Sequence, residues 1–128
     1  MCLPKVSAPL KNFNYGVVVG FGKSETSGPH ENIPKKAETP IKSSDDCYSE
    51  FPSLLNIASH RTFCGGFANG TGSCTGDSGG GLTVVQDDVH YLRGIVSASL
   101  HATEYGCDVK SYSIFTDIRF FVNFIKGV

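Results

Sequence analysis

No stretch of this 128-residue sequence is apolar over the length needed to cross a bilayer, so no helical membrane span is expected. A basic stripe is also missing. The 11 Lys and Arg stand against 12 Asp and Glu, for a net charge of −1, and nucleic acid is not an expected partner. There is no CxxC pair and no Cys/His run with the spacing of a zinc site, so neither a metal nor another cofactor is expected. The opening residues, Met1-Cys2-Leu3-Pro4-Lys5, lack the apolar core of a secretory leader.

What remains has the composition of a folded globular chain, 40% hydrophobic and 18% charged, of a size for one small domain. Five cysteines in so short a chain predict disulfides and an oxidising, extracellular compartment, and their odd number leaves one without an internal partner. Disulfides without a leader are reconciled if residues 1–128 are a fragment, a truncated isoform or one chain of a processed secreted protein.

Short apolar runs alternate with Gly, Ser, Asn and Pro, the pattern of an all-β barrel or sandwich. Residues 15–19 predict a buried strand closed by Gly20-Phe21-Gly22, followed by a polar loop over 23–36. A short strand is expected over 37–42, and a short helix over about 45–54 behind the capping run Ser43-Ser44-Asp45-Asp46. Strands are predicted at 62–67, 81–85, 91–97 and 114–116, with a turn at Gln86-Asp87-Asp88. The Gly-rich stretch 69–81 must be a loop with special backbone angles. In the tail, Ile118, Phe121, Val122 and Ile125 share one helical face, and Asp117 can cap a terminal amphipathic helix.

The run that carries chemistry is Cys74-Thr75-Gly76-Asp77-Ser78-Gly79-Gly80. A serine among glycines can sit on a tight turn with its hydroxyl exposed, while the same turn aims two backbone N–H groups at one point. This run resembles the nucleophile motif of the chymotrypsin-like serine proteases. Further segments share the resemblance: Cys2-Leu3-Pro4 is similar to the family's interdomain segment. Val18-Val19-Gly20-Phe21-Gly22-Lys23 resembles its Gly-Trp-Gly strand end, with Phe21 in place of tryptophan. Thr62-Phe63-Cys64-Gly65-Gly66-Phe67 resembles its Met-Phe-Cys-Ala-Gly strand. Leu92-Arg93-Gly94-Ile95-Val96-Ser97, Gly106-Cys107 and Ile114-Phe115-Thr116 follow in the family's order. The resemblance implies the second six-stranded Greek-key β-barrel of the chymotrypsin-like fold, with a short intermediate helix and a C-terminal helix, and with the N-terminal barrel absent.

The resemblance also implies roles. Ser78 would be the acylating nucleophile. The N–H groups of Gly76 and Ser78 would form the oxyanion hole, and Asp77 would receive the ammonium terminus released when a zymogen is cleaved. Cys47 would pair with Cys64 and Cys74 with Cys107, leaving Cys2 to reach a cysteine of the missing half. In the primary specificity pocket, Gly72 stands where trypsin-like members carry Asp, so cleavage after Lys or Arg is not expected. Ser97 belongs to the cleft strand. Ser99 and Ser113 stand at wall positions where open pockets have glycine, which implies small or medium apolar side chains as occupants. Ala98 replaces a tryptophan, and the spacing from Ser97 to Cys107 is longer than usual. Asn69-Gly70-Thr71 is a candidate glycosylation sequon.

The base and its orienting acid are missing. The Ala-Ala-His-Cys motif is absent, and none of His30, His60, His90 and His101 matches a base position. The family therefore implies a serine endopeptidase acting through an acyl-enzyme, with protein or peptide substrates and protease inhibitors as partners. The chain alone is expected to show little activity. A non-catalytic protease homologue that binds peptides or other proteases is the alternative, and a purely structural domain ranks behind both.

Overall fold

The structure, a computed structural model, describes residues 1–5, 10–23, 29–99 and 110–127. Six antiparallel strands close into a barrel in the order β1-β2-β3-β6-β5-β4. They are β1 (Tyr15–Gly20), β2 (Lys35–Lys42), β3 (Thr62–Gly65), β4 (Gly81–Gln86), β5 (Val89–Ser99) and β6 (Ser113–Asp117). This is the predicted six-stranded barrel. Closure depends on β4 returning to β1, where Val17 faces Thr83 and Val18 faces Leu82.

Period-two alternation explains which side chains fill the barrel. In β1 Val18 points inward, and in β4 Leu82 and Val84 do the same. They meet Leu10, Phe63, Val96 and Phe115 in one core cluster. Phe63 and Phe115 stack with centroids 5.3 Å apart. A second cluster, Leu54, Tyr112 and Ile114, gathers around the Cys47–Cys64 disulfide, the pairing the resemblance implied. That bond ties the helix α1 (Ser44–Glu50) to β3 across 17 residues. A loop of that size corresponds to about 3 kcal/mol in the chain-entropy account.

Local chemistry sets the element ends. Ser43 caps α1 by accepting the Asp46 N–H at 3.1 Å, with Asp45 and Asp46 in the positively polarised first turn. Pro52 then opens a separate 3-10 turn, Pro52–Asn56, so the single helix expected to about 54 is divided in two. The turn joining β4 to β5 has φ +51° at Asp87 and +59° at Asp88 between the paired residues Gln86 and Val89. Two successive left-handed residues make the tight hairpin that matches strand twist.

Other elements also depart from expectation: β3 ends at Gly65 rather than 67, and β5 runs over Val89–Ser99 rather than 91–97. β2 begins at Lys35 rather than 37, because Lys35 and Lys36 pair with Gly20 and Val19 of β1. The tail is not one helix. A 3-10 turn, Ile118–Phe120, precedes the short helix α2 (Val122–Lys126), with Phe121 between them. Asp117 does cap, accepting the Arg119 N–H at 3.0 Å, but its carboxylate also binds two guanidinium groups, which holds the chain in the tighter turn. Ile118 and Val122 are buried, while Phe124 and Ile125 remain exposed. Among the described residues no helix is long and apolar enough to cross a membrane.

Beneath the tail lies an ion network. Arg93 of β5, buried, pairs with Asp117 at 2.7 Å and stacks its guanidinium 4.3 Å from the Phe63 ring centroid. Arg119 holds the other Asp117 oxygen at 2.7 Å. Burial alone would push the Asp117 carboxyl up. Hydrogen bonds from Arg119 and the charge of Arg93 outweigh it and hold the group below the usual aspartate range.

Candidate active site

The segment 74–80 leaves the barrel just before β4 and folds back onto β5. The Gly79 N–H donates to the Val96 carbonyl at 2.9 Å, and the Val96 N–H donates to the Gly80 carbonyl at 2.8 Å. Within the turn, the Asp77 N–H donates to Cys74 and the Gly80 N–H to Asp77, each at 2.9 Å. Gly76 at φ +99° occupies a conformation that a side chain rarely tolerates. Ser78 is exposed at the crest. Among the described residues neither its N–H nor that of Gly76 makes a hydrogen bond. The turn thus presents one hydroxyl and two unengaged backbone donors.

Asp77 faces the other way. Its Oδ1 accepts the Gly22 N–H at 2.8 Å and its Oδ2 accepts the Cys74 N–H at 3.0 Å. A Cβ on Gly22 would fall 2.4 to 2.5 Å from all three carboxyl atoms, so the glycine ending the Gly20-Phe21-Gly22 run is what lets the carboxylate dock. Asp77 borders a pocket of about 190 Å3 that also receives Lys23, Lys35, Lys36 and Gly72.

A second pocket, of about 310 Å3, lies between the turn and β5. Ser73, Ser78, Ser97 and Ser99 line it; Gly72 borders the Asp77 pocket instead. Ser113 of β6 is buried behind it, with the Ser73 and Ser113 hydroxyls 3.0 Å apart. In β5 the register with β6 shifts between Val96 and Ala98, so Ser97 has no partner and sits on a bulge. Bulges re-aim side chains next to functional sites. Neither the bulge nor the Ser73–Ser113 contact was visible in the sequence. The first needs the pairing register, and the second joins residues 40 apart.

The remaining predicted residues are scattered. His30 lies against Gly76, where an added Cβ would come within 2.6 Å of the ring. His60 packs edge-on to Phe120 and accepts from Arg61, and His90 is exposed beside the β4–β5 turn. His101 and Cys107 lie outside the described residues, and with them the Cys74–Cys107 pairing. Cys2 is an exposed free cysteine whose backbone pairs beside β5, its N–H donating to His90 at 2.8 Å. Asn69 is exposed, its Oδ1 accepting the Thr71 N–H at 3.1 Å. The described residues hold no cluster of metal-ligating side chains.

Comparison with known proteins agrees with this geometry. The Trypsin family model matches residues 1–125. Melanization protease 1 of Drosophila melanogaster is 28% identical over 138 aligned positions, covering 99% of this chain and 32% of that protein. Spermosin of Halocynthia roretzi is 37% identical over 99 positions, covering 75% of this chain and 24% of that protein. The chain spans about a third or less of the length of these relatives. With a closed barrel, the Cys74–Gly80 run on an exposed turn and a match over nearly its whole length, the chain belongs to the trypsin family of serine proteases.

Proposed function

We propose that the chain is the nucleophile-bearing half of a serine endopeptidase that cleaves protein or peptide substrates through an acyl-enzyme. One observation carries this: the exposed Ser78 shares its turn with the N–H groups of Gly76 and Ser78, neither of which is hydrogen-bonded among the described residues. Ser78 attacks the scissile carbonyl and the two N–H groups stabilise the oxyanion that forms. A serine hydroxyl needs a base held against it, and no described histidine hydrogen-bonds Ser78. The base and its orienting acid come from the other half of the enzyme, and the chain alone has little activity.

Two further features support a partner half. Phe13, Tyr15, Val17, Val19 and Val85 line a broad apolar cleft, with Tyr15, Val19 and Val85 each more than half exposed. His90, which accepts the Cys2 N–H, borders the same face. The upstream barrel packs there, and Cys2 links to it by a disulfide. Asp77 accepts the new ammonium terminus in its pocket after cleavage of a zymogen. Secretion and glycosylation at Asn69 complete this reading. That no described histidine is bonded to Ser78 favours a second reading, a non-catalytic homologue that binds peptides, protease inhibitors or other proteases.

Fluorophosphonate labelling of the protein from its native source, with intact mass on the same sample, separates the two. The expected result is a label on Ser78 in a species heavier than this chain, with Cys2 joined to the additional sequence. An unlabelled species of this chain's mass alone would favour the binding protein.

A further inference from the structure

We propose that Asn69-Gly70 is a site of self-modification, at which the asparagine converts through a succinimide to aspartate and isoaspartate. The proposal stands apart from the endopeptidase reading and competes with glycosylation for the same side chain. Asn69 and Gly70 are both exposed, in a bend between β3 and the Cys74–Gly80 run. Ring closure needs the Gly70 nitrogen to attack Cγ of Asn69. Among the described residues the Gly70 N–H makes no hydrogen bond, so the nitrogen is free to lose its proton to solvent. The Thr71 N–H donates to Asn69 Oδ1 at 3.1 Å, drawing electron density from the carbon under attack. A Cβ at Gly70 would meet nothing within 4 Å, so neither the residue nor its surroundings crowd the closing ring. Of the six asparagines in the chain only Asn69 precedes glycine. Asn12, Asn14, Asn32, Asn56 and Asn123 each precede Phe, Tyr or Ile, whose side chains obstruct the same approach.

In the first step the bond from the Gly70 nitrogen to Cγ forms and the Cγ–Nδ2 bond breaks. Ammonia leaves, its extra proton replacing the one that the Gly70 nitrogen gave up. Water then adds to a carbonyl of the ring. Opening at Cγ gives aspartate. Opening at the main-chain carbonyl gives isoaspartate, with the backbone rerouted through the side chain. No oxidant or reductant takes part. Either product places a carboxylate beside Gly70, Thr71 and Gly72, which line the pocket that Asp77 shares with Lys23, Lys35 and Lys36. Neither product can accept a glycan, because the sequon requires asparagine.

The test incubates the full-length protein carrying Thr71→Val, which removes the sequon but keeps the Asn-Gly bond and the N–H of residue 71. After reduction, trypsin releases residues 62–93, in which Asn69 is the sole asparagine. This peptide should gain about 1 Da with time, and isoaspartyl methyltransferase should methylate part of the product. Conversion at Asn69 should outrun that at every other asparagine by at least about tenfold, a barrier lower by about 1.4 kcal/mol. It should quicken between about pH 6 and about pH 8, because attack follows loss of the Gly70 proton. Gly70→Ala should slow it about tenfold, with circular dichroism checking the fold of that variant. The comparison among asparagines of one sample does not depend on the variant folding. Conversion no faster at Asn69 than elsewhere, a product free of isoaspartate, a rate indifferent to pH, or a rate unmoved in folded Gly70→Ala overturns the proposal.

Discussion

Asp117→Ala is expected to cost about 3–5 kcal/mol of folding stability, the range for breaking a buried ion pair by removing one partner. The carboxylate is almost wholly buried between two guanidinium groups, each 2.7 Å away. Its removal leaves Arg93 charged and buried beneath the Phe63 ring, with no described acid in its place. Arg119 suffers less because its side chain is 42% exposed and water can take over. Urea unfolding followed by far-ultraviolet circular dichroism measures the loss, and a cost below about 1 kcal/mol would contradict the account. Asp117→Asn should fall between, since an amide oxygen still accepts from Arg93 but carries no charge. The wild type should show the same contribution as a pH effect. The carboxyl is held below its unfolded value, so its stabilisation is complete above the unfolded pKa of about 3.9. It is lost as pH falls from there through the lower folded value. Acid unfolding of the wild type should steepen below about pH 4, and that of Asp117→Ala should be flatter over the same window.

Gly22→Ala is expected to slow fluorophosphonate acylation of Ser78 by about 100-fold, the scale that a misplacement of about 1 Å at a reacting group carries. The new methyl group would come 2.4 to 2.5 Å from the Asp77 carboxyl atoms, and the Gly22 N–H that anchors Oδ1 sits on the same residue. The carboxylate cannot retreat without giving up that bond. Asp77 is bracketed by Gly76 and Ser78, so its displacement turns the crest of the loop. Overpacking of this kind costs about 1–3 kcal/mol, and the barrel should stay folded. Labelling rate and circular dichroism of one sample separate the two effects. An unchanged rate in a folded variant would show that Asp77 docking does not position Ser78.

Much of this architecture was legible because it is local. The period-two runs of β1 and β4, the Ser43 cap and the Asp87-Asp88 turn each announce themselves within a few residues. The Cys74–Gly80 run marked the turn for the same reason, since only glycine tolerates φ +99° at residue 76. What escaped the sequence is decided across the barrel. Nothing near Arg93 indicates that its partner lies 24 residues later, at the residue that caps the first turn of the tail. The start of β2 at Lys35 follows from pairing with Gly20, which overrides the polar character of that segment. Gly72, expected at the specificity pocket from its place six residues before Ser78, lines the pocket beside Asp77, a neighbour that chain position alone does not reveal.

The central claim is that Ser78 forms the acyl-enzyme, and pre-steady-state hydrolysis of a chromogenic ester by the full-length protein tests it most directly. The account predicts a burst of about one product per molecule that is absent from Ser78→Ala. Steady hydrolysis without a burst, or a burst that persists in Ser78→Ala, would contradict it.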